Sequence, residues 1–93
     1  MSGRTDNSTT LYDLHRAAAA FLITDLKLAL ASLDTATYYT AERRARGYQN
    51  SRGVYHFVMR SHARITLTPE ERQTISWLLR RLNARLEAEA RRC

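Results

Sequence analysis

The sequence predicts an all-α fold, a three-helix antiparallel bundle running up, down and up. Three observations carry that expectation. Apolar residues recur at helical spacing in three separate stretches. The 93 residues include one proline and three glycines, so turn chemistry is scarce and the elements should be few and long. The segment Thr68-Pro69-Glu70-Glu71 has the form of a strong helix start two-thirds of the way along the chain. A chain of this length makes one domain near the small end of what folds alone. Residues 1–9 are polar and aperiodic and read as a flexible lead-in, leaving 10–93 as a single helical domain.

The first helix is expected from Leu11 to about Thr37, opened by Thr10 with Asp13 three residues on. At 100° per residue, Leu11, Leu14, Ala18, Phe21, Leu22, Leu26, Leu28, Ala29, Leu33 and Ala36 fall on one broad arc, with Asp13, Arg16, Lys27 and Asp34 opposite. Asp25 lies inside the arc. A carboxylate in an apolar stripe needs a partner, because burying it alone costs several kcal/mol. No glycine or proline marks the first turn; the poor helix formers Tyr38–Thr40 place it there.

The second helix, about Ala41 to Ala63, has a stripe of Ala41, Ala45, Tyr48, Ser51, Arg52, Tyr55, Val58, Met59 and His62. Gly47 and Gly53 interrupt it, marking a kink or a close neighbour. With the turn near residue 39, Asp25 lies 14 residues before it and Arg52 lies 13 after it. At about 1.5 Å per residue the two stand at nearly equal height, which predicts a largely buried ion pair fixing the register of the hairpin. Residues 64–67 are a short connection whose Ile65 and Leu67 plug the end of the core. Thr68 caps the third helix, Pro69 takes its first position and Glu71 completes a capping box. Its stripe is Ile75, Leu78, Leu79, Leu82 and Leu86; Trp77 stands away from that stripe beside Arg80, Arg81 and Ala84.

The spacing Tyr48-x2-Ser51-x3-Tyr55-x2-Val58 resembles the second-helix pattern of the tetratricopeptide repeat, which alternates aromatic and small residues. It departs in using serine and valine at the small positions, and Pro69 comes too late for the repeat's terminal proline. Residues Asn50 to Arg60 and the LTPEER segment are also similar to short helical bacterial proteins of uncharacterised function. The tetratricopeptide resemblance implies a protein-binding or self-assembling helical hairpin rather than an enzyme.

Charge and composition narrow the function classes. The net charge is +6, with −1 on residues 1–39 and +7 on residues 40–93, where twelve arginines face five glutamates. Arg43, Arg46, Arg60 and Arg64 can line one side of the second helix around Phe57 as phosphate contacts. Fourteen of the fifteen basic residues are arginine, which a GC-rich coding sequence produces without any ligand. The longest apolar run, Ala17–Ile23, is seven residues, short of the roughly 20 that a membrane span needs. The single cysteine, Cys93, forms no internal disulfide and fits a reducing, cytoplasmic setting. His56 and His62 fall on different faces, so no metal site is expected, and no nucleophile, phosphate loop or cofactor motif is present. The leading expectation is therefore a non-enzymatic module for protein interaction or self-assembly, and a homo-oligomer. Its interface is placed at Phe57, Trp77, Arg80 and Arg81. The alternative is a small arginine-rich nucleic-acid-binding or regulatory protein.

Overall fold

The computed structural model describes residues 3–35 and 40–92, with side chains described from Thr10 to Thr35 and from Thr40 to Arg91. The described residues form three helices in contact with one another: α1 (Gly3–Thr35), α2 (Ala41–Ser61) and α3 (Pro69–Arg92), with a short 3-10 turn at His62–Arg64. This is the all-α three-helix bundle that the periodicity predicts. α1 and α2 are antiparallel: Ser51 Oγ donates to the Ala29 carbonyl at 3.3 Å while Phe57 meets Phe21 further along. α3 runs with α1, since Arg16 pairs with Glu71 at one end and Asp34 with Arg85 at the other.

α1 starts at Gly3, well before the expected cap at Thr10. A polar run is not a helix breaker: its propensity cost is at most about 0.7 kcal/mol for each residue other than glycine. The expected turn at Tyr38–Thr40 lies outside the described residues except for Thr40. That threonine caps α2, its hydroxyl accepting from Arg43 N at 3.3 Å.

The core contains Ala19, Leu22, Leu26, Ala29 and Leu33 from α1, Val58 from α2, Leu67 from the connection, and Ile75, Leu78, Leu79, Leu82 and Leu86 from α3. The α3 stripe is the one read from the sequence. The α1 arc was drawn too wide. Two helices resting on a third cover only part of its circumference, so Leu11, Leu14, Phe21 and Leu28 stay exposed. α2 gives less to the core than expected: Ser51 and Val58 are buried, Tyr48, Tyr55 and His62 are half-buried, and Ala41, Ala45, Arg52 and Met59 are exposed. Neither glycine of α2 answers a close neighbour within the chain, because a Cβ at Gly47 or Gly53 would meet nothing within 4 Å.

The α2–α3 connection is held by a compact polar network. Thr68 N donates to Glu71 Oε1 at 2.9 Å, and Glu71 N donates to Thr68 Oγ1 at 3.1 Å, which is the reciprocal capping box. The same Glu71 Oε1 lies 3.1 Å from the Arg16 guanidinium, which also donates to the Thr66 carbonyl. Thr66 N donates to His15 Nδ1 at 3.0 Å. One carboxylate thus ends a loop, starts a helix and ties both to α1. Glu71→Ala removes all three roles and is expected to lower stability by about 1–2 kcal/mol. Glu71→Gln keeps an acceptor for Thr68 N and should cost less than Glu71→Ala. Urea denaturation of the two variants beside the wild type measures the difference.

Candidate interaction surfaces

Among the described residues, two groups of exposed aromatic side chains, besides Tyr12 near the start of α1, stand in different grooves of the bundle. The first is on α3. Turned about 240° from Glu71 by six helical steps, Trp77 cannot share the core face that Ile75, Leu78 and Leu82 occupy. It is 51% exposed, with the Arg81 guanidinium 4.8 Å above its ring. With Lys27 of α1 and Gln73, Thr74, Leu78 and Arg80 of α3, it lines a shallow groove of about 570 Å³. An aromatic floor edged by Lys27 and Arg80 suits a partner that is apolar with acidic flanks.

The second patch lies between α1 and α2. The rings of Phe21 and Phe57 meet edge to face, centroids 6.5 Å apart at 87°, and both are exposed by 41% or more. Leu14 and Leu28, each seven residues from Phe21, are exposed on the same line of α1. Phe57, Trp77, Arg80 and Arg81 are all at the surface, but Phe57 belongs to the α1–α2 groove and the other three to the α3 side. Sequence reasoning missed Leu14, Phe21 and Leu28 as surface residues by assigning them to the core. The available signal was their strict seven-residue recurrence beside a separate core stripe.

Asp25 and Arg52 do not pair. Among the described residues no ion pair joins them. Arg52 is exposed with its guanidinium 5.9 Å from the Tyr48 ring, and the inward position beside it belongs to Ser51. The Ser51–Ala29 contact shifts the hairpin register from the one assumed, setting Asp25 about three residues, or roughly 4.5 Å, away from the height of Arg52. Asp25 itself is half-buried. Arg43, Arg46, Arg60 and Arg64 are exposed, with Arg46 reaching Glu42 at 3.9 Å. Among the described residues no three His, Cys, Asp or Glu side chains gather where they could hold a metal ion. His15 is engaged with Thr66 N, and His62 Nδ1 lies 3.0 Å from the Val58 carbonyl.

Comparison with family models, curated proteins and solved structures finds no match to this chain. Among the described residues no helix is long and apolar enough to cross a membrane. Because Arg52 is exposed and, among the described residues, outside any ion pair, Arg52→Ala is expected to change stability by less than about 1 kcal/mol. A buried pair would cost 3–5 kcal/mol on losing one partner, so chemical denaturation separates the two registers.

Proposed function

We propose that this chain is a small non-enzymatic helical module that works by protein interaction, self-assembly included, in a reducing, cytoplasmic setting. The observation that carries the reading is the amount of large apolar side chain that the bundle leaves at its surface. Phe21, Phe57 and Trp77 are each more than two-fifths exposed, in two grooves, alongside Leu14 and Leu28. Aromatic residues with neighbouring arginines are the side chains that most often anchor protein interfaces. Contiguous exposed apolar surface is a liability unless something covers it. The sequence marks no activated nucleophile and holds no phosphate loop, in keeping with a non-enzymatic module.

The expected outcome is a solution mass of at least twice the 10.7 kDa of one chain by light scattering at high micromolar concentration. A monomeric mass across that range overturns the self-assembling form of the reading.

A second reading, nucleic-acid binding, is favoured by one observation, the exposure of Arg43, Arg46, Arg60 and Arg64 along α2 and the turn that follows it. On that reading, affinity for generic DNA or RNA falls steeply with salt, and reversing Arg43, Arg46 and Arg64 to glutamate abolishes binding while helix content is kept. An electrophoretic mobility assay at low salt decides it: no shift with the wild-type protein removes the reading.

A further inference from the structure

We infer that the α1–α2 face is the seam of a two-fold homodimer, with its axis at Phe21 and with Asp25 of each copy set against Arg60 and Arg64 of the other; the inference rests on the interaction-module reading and names the partner as a second copy of this chain.

α1 carries two apolar seams, and the bundle uses one. The used seam is Ala19, Leu22, Leu26, Ala29 and Leu33, spaced three and four residues apart. The free seam has the same three–four spacing, with Leu14, Ala18, Phe21, Asp25 and Leu28 in turn. Such spacing keeps a straight stripe facing a second helix over several turns. The free seam is also symmetric about its middle. Leu14 and Leu28 both lie seven residues, about 10.5 Å, from Phe21. A two-fold axis at Phe21, with the two α1 helices antiparallel, therefore places Leu14 of each copy against Leu28 of the other. It places Phe21 against its own counterpart, and the Phe57 rings enlarge the apolar centre from both sides. This self-complementarity is what an isologous interface requires.

Charge complementarity points to the same operation. The Ser51–Ala29 contact fixes the height of α2 on α1, so that residue 63 stands level with Ala17. Under the two-fold, Asp25 of the second copy, four residues beyond Phe21, also arrives at the level of Ala17. It therefore arrives at the height of the stretch between Arg60 and Arg64, both of which are exposed. Among the described residues Asp25, Arg60 and Arg64 form no ion pair within the chain. The lone acid in an apolar stripe thus finds cations on the second copy, and a polar group at one seam position fixes register and partner number. Gly53, one turn before Phe57, is exposed and leaves room for an incoming helix.

The Trp77 groove lies on the α3 side and remains open in this dimer. Sedimentation equilibrium on the full chain, with circular dichroism to follow helix content, tests the seam. The wild type is expected at twice 10.7 kDa. Phe21→Asp should be a helical chain whose self-association is weakened at least about thirtyfold, and Trp77→Ala should remain dimeric. A charge swap keeps the test decisive whatever Phe21→Asp does to folding. Asp25→Arg should weaken association about tenfold, and adding Arg60→Glu and Arg64→Glu to it should restore association. A dimer that tolerates a folded Phe21→Asp, or a charge swap without rescue, overturns this seam and leaves the interaction-module reading standing. A wild-type monomer at high micromolar concentration overturns the seam and the self-assembling form of that reading together.

Discussion

Glu71 is the constraint on which the arrangement of the three helices depends. A carboxylate at the start of α3 closes the capping box with Thr68 and also receives Arg16 from α1. The start of α3 and its position along α1 are therefore set by one group. Once Glu71 faces α1, helical geometry turns Ile75, Leu78 and Leu82 toward the core and leaves Trp77 outside it. The Arg85–Asp34 pair does the same at the far end, so α3 is pinned on α1 at two points 18 residues apart on α1. The clamp has a cost. The Arg16 Nε is buried without a hydrogen-bond partner, which limits the net gain.

The parts of this fold that were legible in the sequence are those written in local chemistry. The Thr68–Glu71 box and the α3 stripe depend on residues three to eleven positions apart, and both appear in the structure. The Asp25–Arg52 pairing depended on where the first turn falls, and no glycine or proline fixed that point. A register error of about three residues is enough to turn a predicted ion pair into two separate side chains. The α1 arc failed for a related reason. Periodicity says which residues share a face, but not how much of that face two neighbouring helices will cover. Leu14, Phe21 and Leu28 look like core until the positions of α2 and α3 are known. The same holds for the surfaces: Trp77 was separable from its stripe by angle alone, whereas Phe21 was not.

Distributing the exposed aromatics between two grooves has a geometric meaning. Phe21 and Phe57 belong to the first hairpin, whereas Trp77 depends on α3 being docked, and Lys27 is the α1 residue that closes its groove. Each surface is therefore assembled from two helices that share α1, the first from α1 and α2 and the other from α1 and α3. Charge divides the chain differently: residues 1–39 carry a net −1, whereas residues 40–93, which hold α2 and α3, carry a net +7. The ion pairs Arg44–Glu89 and Arg16–Glu71 run against that trend and hold the bundle internally.

The two glycines of α2 speak to the history of the chain. At Gly47 a methyl group would touch nothing within 4 Å, and alanine favours a helix interior by about 1 kcal/mol over glycine. A stronger α2 is therefore one substitution away and disturbs no contact. For a domain of this size that increment is a sizeable share of total stability. The chain sits below the stability its own backbone permits, as expected where selection acts on a threshold rather than a maximum.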